Sequence, residues 1–204
     1  SFDVENRPGG SEGDNIVKTR LATGEMADLF QYNSGSLFLA LKPEQTLANL
    51  SDLPGNENIL DSYRSVVTAT DGSLRGVPFG PAMGGGIFYN RKIYSDLGLE
   101  IPKTWADFMA NNEKIKAAGK VAIAQTYGDT WTSQLFVLGD YYNVNAVVPT
   151  FAKDYTENKA KYASTPAAAK GFERLEQAAK AGLFNADFGA AKLDDGVRLR
   201  TIRC

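Results

Sequence analysis

GVPFGPAMGGGIFYNRKIYSDLGLEIPKTWADFMANNEKIKAAG, residues 76–119, decides how the chain is organised. It opens as a strand through Val77 and Phe79, breaks at Pro78, Gly80 and Pro81, and crosses Gly84, Gly85 and Gly86. It resumes as a second apolar strand, Ile87-Phe88-Tyr89. Proline cannot donate to a ladder, and here it is confined to the breaks, so the segment reads as a crossing between two bodies. Gly80, Gly84, Gly85 and Gly86 are the hinge candidates, because glycine absorbs backbone rotation that other residues resist. A well-signalled helix follows. Thr104 stands at N-cap with Asp107 at N3 in a capping box, Trp105, Phe108, Met109 and Ile115 share one face, and Gly119 occupies C′. The expected division is a first body over 1–80, a crossing over 81–86 and a second body over 87–204.

Composition excludes more than it selects. A chain of 204 residues that is 43% apolar can bury one or two cores. Its 22 basic and 24 acidic residues are mixed along the chain, for a net charge of −2, so no nucleic-acid surface is expected. The basic tail Arg198, Arg200 and Arg203 reads as solvated charge. A single cysteine, Cys204, rules out an intrachain disulfide. No apolar run reaches the roughly 18 residues of a transmembrane helix.

Elsewhere, residues 2–5 alternate as a strand, and Ser11 to Leu21 reads as a helix stopped by Gly24. Residues 27–32 read as a short buried strand ending in the polar turn Asn33-Ser34-Gly35-Ser36. Residues 66–70 and 74–79 read as a β-hairpin about Asp71-Gly72. Residues 121–124 are a buried strand that ends in Gln125-Thr126-Tyr127-Gly128-Asp129-Thr130-Trp131, with Thr130 or Thr132 capping the next helix. Residues 147–162 read as a loop. Pro166 at N1 and Gly182 mark the ends of a late helix with Phe172, Leu175, Ala178 and Ala179 as its stripe.

No histidine is present. That removes the commonest general base and zinc ligand, and with it Ser-His-Asp and Cys-His nucleophiles. The three glycines at 84–86 lack the Lys-Ser/Thr of a phosphate loop and the spacing of a dinucleotide fingerprint. Asp194-Asp195-Gly196 lacks the spacing of a calcium loop. No metal and no cofactor is expected. The pattern that remains suits sugars, which present hydroxyls at the rim and C–H groups on the faces. Asp129 and Trp131 offer a carboxylate and an aromatic face within three residues, with Tyr127 beside them. Trp131 is open to a second reading as a core residue of the following helix. Its place after a strand end favours the first, because ligands of open α/β sheets bind beyond the strands' carboxyl ends. By the same rule Asn33 and Ser34 are candidates, with an ordinary helix cap as the alternative. Ser11 and Glu12, with Asp14, are set either to approach a ligand or to cap the first helix.

Three stretches carry a family resemblance. FYNRKIYSDLGLEIPKTWADF, residues 88–108, resembles the hallmark of extracellular solute-binding proteins of the maltose-binding type, which serve sugar-importing ABC transporters. Arg91 stands where lysine is usual, and Pro102-Lys103-Thr104-Trp105 matches outright. ATGEMADLFQYNSGSLF, residues 22–38, resembles a second segment, with Ala27 where proline is usual, and KAGLFNADF, residues 180–188, resembles a third. The resemblance implies an α/β fold of two lobes, periplasmic-binding-protein-like of type II and incomplete. Asn33 and Ser34 would face a cleft from the first lobe and the turn at 127–131 from the second. It implies a binding protein, not an enzyme, that takes up a carbohydrate in the periplasm or outside the cell and delivers it to an ABC permease. It further implies that a strand and a helix before residue 2, and later segments after 196, are missing. Exposed apolar surface and weak sugar affinity are expected in consequence. The rival readings are a glycosidase-like enzyme, which needs two carboxylates in one cleft, and an interaction domain with no small ligand.

Overall fold

The computed structural model describes residues 3–80 and 86–196. The chain divides into two compact units, Ser1–Gly84 and Gly85–Cys204.

The first unit is led by helix α1, Gly10–Thr23, in which Val17 is fully buried and the N–H of Gly24 closes the last turn on the Arg20 carbonyl. Two short helices follow, α2 (Ser36–Ala40) and α3 (Pro43–Thr46), then a 3₁₀ turn at Asn56–Asn58 and helix α4, Asp61–Arg64. Phe38, Leu41, Pro43, Val67, Ala69 and Leu74 are buried in this unit as well as Val17. The expected hairpin keeps its turn but little of its ladder. Thr68 and Leu74 form one isolated antiparallel bridge. Ala69 N–H donates to Ser73 O at 2.9 Å and Arg75 N–H to Val67 O at 3.1 Å. Beyond Arg75 the second strand is not formed, and Phe79 is 77% exposed.

The second unit opens with α5, Arg91–Asp96, capped by the Asn90 side chain, which accepts from the N–H groups of Lys92 and Ile93. Helix α6, Trp105–Ala117, is capped by Thr104, whose hydroxyl accepts from Asp107 N–H at 3.1 Å. Only this half of the expected capping box is present among the described bonds. Gly119 takes φ 70°, as its C′ place requires. Thr104→Ala should lower unfolding free energy by about 1 kcal/mol, and Thr104→Ser should restore it. Urea titration of the three proteins checks this, and equal midpoints would remove the cap from the account. Next come a 3₁₀ turn at Thr130–Gln134 and helices α7 (Leu135–Val147), α8 (Phe151–Thr156) and α9 (Pro166–Lys180). Helix α7 packs on α9. Val144, Phe151 and Ala168 are buried together, with Tyr141, Val148, Ala160 and Tyr162 against them.

Several expectations are corrected. Residues 3–5, 27–32, 77–79 and 87–89 carry no strand, and Leu29, read as buried, is 74% exposed. A strand needs a neighbour for its N–H and C=O groups, and no β ladder includes these segments. Among the described residues β pairing is limited to the Thr68–Leu74 bridge and a parallel bridge from Ile123 to Phe184. Residues 147–162 are not a loop throughout, because α8 forms within them. On α9 the buried positions are Ala168, Gly171 and Ala178, which leaves Phe172 exposed. Phe2, residues 81–85 and the tail from 197 lie outside the described residues. No helix among the described residues is long and apolar enough to cross a membrane.

Candidate functional site

In the second unit, residues 121–126 run beside 183–188. Ile123 N–H donates to Leu183 O at 2.9 Å, and Gln125 N–H donates to the Asn185 side-chain oxygen at 2.7 Å. Asn185 is buried and is itself fixed by donating to Asp187 at 2.8 Å. A side chain thus ends the pairing where a further ladder bond would stand. The chain then turns. Tyr127 N–H donates to Phe188 O at 2.7 Å, Gly128 N–H to Ala191 O at 2.9 Å, and Asp129 N–H to Thr126 O at 3.0 Å. Thr132, buried, ties the far side back by donating its hydroxyl to Thr126 O at 2.8 Å. Its hydroxyl is therefore not a cap for α7, whose N-cap residue is Gln134 with no side-chain bond.

This turn presents three of the candidate side chains. Trp131 is 41% exposed and has no ring partner among the described residues, so it is not part of the core of α7. Asp129 commits one carboxylate oxygen to Leu193 N–H at 2.8 Å. Its other oxygen accepts no hydrogen bond among the described residues and is available to a hydroxyl. Tyr127 lies edge-on to Phe184 and Phe188, with centroids 6.4 and 5.5 Å away. Its hydroxyl oxygen is buried without a hydrogen-bond partner among the described residues, and burial pushes its pKa up. Tyr127 thus supports the turn more than it faces solvent, leaving the carboxylate of Asp129 and the indole of Trp131 as the accessible pair.

In the first unit, Asn33 and Ser34 are exposed and lie before α2. The N-cap residue of α2 is Gly35, with no side-chain cap bond, and Gly35 N–H donates to Val66 O at 2.9 Å. Asn33 and Ser34 are therefore not spent on capping. Ser11 and Glu12 sit in the first turn of α1, after an N-cap at Gly9, and do not cap it either. The two pairs belong to neighbouring segments. Arg7 donates to Gln31 O at 2.7 Å and lies over the Tyr32 ring at 5.8 Å. The pKa of Tyr32 is raised by burial first and then by the Asp14 carboxylate, with Arg7 opposing. Of the hinge candidates, Gly80 has φ 154° and Gly86 has no described residue near its would-be Cβ, while Gly84 and Gly85 lie outside the described residues.

Sequence reasoning missed Gly128, Thr132 and Asn185. The signal for Asn185 was present, since it stands at the end of the apolar run in KAGLFNADF. Gly128 carried only the hint of its Tyr-Gly-Asp setting. A Cβ there would lie 2.3 Å from Ala190 O, a residue remote in sequence.

A model of the family described as bacterial extracellular solute-binding protein matches residues 3–196. The chain is 24% identical over 127 residues to the multiple sugar-binding protein of Streptococcus mutans, covering 57% of this chain and 28% of that protein. It is 24% identical over 152 residues to the melibiose/raffinose/stachyose-binding protein MelE of Bacillus subtilis, covering 74% and 34%. Among solved structures, a chitin oligosaccharide binding protein aligns with a TM-score of 0.73 at 22% identity, covering 92% of this chain and 47% of that one. The chain thus spans 28% and 34% of the length of these curated relatives.

Proposed function

The chain belongs to the family of bacterial extracellular solute-binding proteins, and on that premise we propose that it takes part in capturing a carbohydrate for an ABC-type importer. The family match across 3–196 carries the reading. The names of the relatives, which bind melibiose, raffinose, stachyose and other sugars, support the ligand class. In this reading the chain is of the two-lobe α/β class, and the candidate contacts are Asn33, Ser34, Ser11 and Glu12 in the first unit and Asp129 and Trp131 with Tyr127 in the second. A membrane permease reads the liganded form, and the protein works in the periplasm or at the cell exterior.

The accessible pair at 129 and 131 gives the reading its chemistry. An aromatic face covers the C–H side of a sugar ring and excludes water from its hydroxyl contacts. Trp131→Ala should weaken raffinose or stachyose binding by about 1–3 kcal/mol, with the fold intact. Isothermal titration with circular dichroism as control checks this. Unchanged affinity, or loss of the fold, would return Trp131 to a structural role. Product formation from raffinose or stachyose on incubation with the chain would replace the binding reading by an enzymatic one.

A further inference from the structure

We propose that Trp105 is a positioning residue for the turn 127–131, acting through Phe136 and Phe184. The proposal rests on reading that turn as the ligand contact of the second unit. The family motif that contains Trp105 then has a mechanical role at a distance from the ligand.

Trp105 is the first residue of α6, and its ring is held on several sides. Its Nε1–H donates to Gln177 Oε1 at 2.7 Å. The Arg174 guanidinium lies 5.5 Å from its centroid, and Phe108 stacks on it at 5.2 Å. A ring fixed by a hydrogen bond, a cation and a stacked neighbour has little freedom to rotate. Its edge meets Phe136 at 6.4 Å and 81°. Phe136 is the second residue of α7, directly after the 3₁₀ turn Thr130–Gln134 that carries Trp131. Phe136 in turn meets Phe184 at 6.3 Å, and Phe184 meets Tyr127 at 6.4 Å and Phe188 at 5.7 Å. A continuous file of rings therefore runs from the start of α6, past the start of α7, to Tyr127 at the head of the turn. A second tie runs in parallel, because Arg174, which covers Trp105, is paired with Asp140 on α7.

The hydrogen bonds of the turn run to Phe188, Ala191 and Leu193, back to Thr126, and from Thr132 N–H to Asp129 O at 2.9 Å. They hold 127–129 and 132, and Trp131 lies between Thr132's tie and Asp129, with the start of α7 and its Phe136 as the next fixed point. Rings in mutual contact restrict one another's rotation, so a displacement of one is felt by the next. Removing the Trp105 ring releases Phe136, and with it the 3₁₀ turn that bears Trp131.

The chain has two tryptophans, so any substitution at Trp105 leaves Trp131 as the sole tryptophan, which red-edge excitation reads apart from the tyrosines. Trp105→Phe keeps an aromatic ring in the file, whereas Trp105→Ala empties the place. Acrylamide quenching and anisotropy decay of Trp131, without ligand, should match the ordered state in Trp105→Phe. In Trp105→Ala the quenching constant should rise and a fast depolarisation should appear. Stachyose affinity should fall roughly 2- to 30-fold in Trp105→Ala and be retained in Trp105→Phe. Phe136→Leu in the Trp105→Phe background cuts the file at its middle with little loss of apolar volume, and should reproduce the alanine result. Equal quenching and anisotropy across these single-tryptophan proteins, all folded, overturns the proposal. So does failure of both Trp105→Ala and the Phe136 variant to fold, which assigns the rings to the core alone. The optical change with no effect of Trp131→Ala on stachyose binding would preserve the positioning and overturn the ligand reading.

Discussion

Arg174→Ala should lower the unfolding free energy by about 3–5 kcal/mol, among the largest effects expected of a single substitution here. The Asp140 side chain is 5% exposed, against 27% for Arg174. Asp140 pairs with Arg174 and accepts from Asn143 Nδ2 at 2.8 Å. Without the guanidinium, one neutral amide is left to compensate a buried carboxylate. The same substitution uncovers Trp105 and removes a tie between α7 and α9. The pair itself is imperfectly satisfied, because Asp140 Oδ2 and Arg174 Nε are buried with no hydrogen-bond partner among the described residues. The double variant Asp140→Leu with Arg174→Met should therefore be neutral or stabilising, since it removes both desolvated charges together. Urea unfolding of the single and double variants tests the two statements. A loss under about 1 kcal/mol for Arg174→Ala would mean that solvent already reaches Asp140.

The helices were legible where their ends are written in local chemistry. Thr104 before Trp105, Pro166 at the head of α9, and Gly119 and Gly182 past helix ends act within a few residues. The strands were not legible in the same way. Alternation at Val77 and Phe79, or an apolar run at 27–32, states which side chains prefer burial. It does not state which segment lies alongside, and pairing is what makes a strand. The hairpin turn at Asp71-Gly72 survives because Asp71 organises it locally by accepting from Ser73 N–H at 2.9 Å. Helix α8 was hidden by Lys153, Asp154 and Glu157, which read as a solvated loop. The informative residues were Phe151 and Tyr155, four apart and stacked at 5.9 Å.

The candidate site divides along the same line. Asp129 and Trp131 were singled out from residue type and from their place after an apolar run. What holds them was not, because the partners of the turn are Phe188, Ala191 and Leu193, some sixty residues on and unremarkable in type. The motif Pro102-Lys103-Thr104-Trp105 shows the converse. It is conspicuous in the sequence, yet its side chains cap a helix and anchor rings within the unit.

On the proposed reading, Gly128→Ala should dismantle the turn and abolish the raffinose and stachyose binding proposed for it. A Cβ at this position would stand 2.3 Å from Ala190 O and 2.8 Å from Ala190 C and Ala191 O, all backbone atoms. Backbone cannot swing aside as a flexible side chain can. The two segments are also clamped on either side of the contact, at Tyr127 to Phe188 (2.7 Å), Gly128 to Ala191 (2.9 Å) and Asp129 to Leu193 (2.8 Å). Relief therefore requires the segments to part, which gives up those bonds at about 1 kcal/mol each. Partial accommodation would still carry an overpacking strain of about 1–3 kcal/mol. Either way Asp129 and Trp131 leave their present places. Gly189→Ala is the control, because it lies in the same stretch and its Cβ would meet nothing within 4 Å. The comparison needs titration calorimetry with both sugars and hydrogen exchange at the amides of 128, 129 and 193. Faster exchange at all three with loss of binding in Gly128→Ala, and neither change in Gly189→Ala, is the expected pattern. If Gly128→Ala binds and exchanges as the unsubstituted chain does, the turn is held by something other than its contact with 190–191, and the ligand assignment loses its structural support.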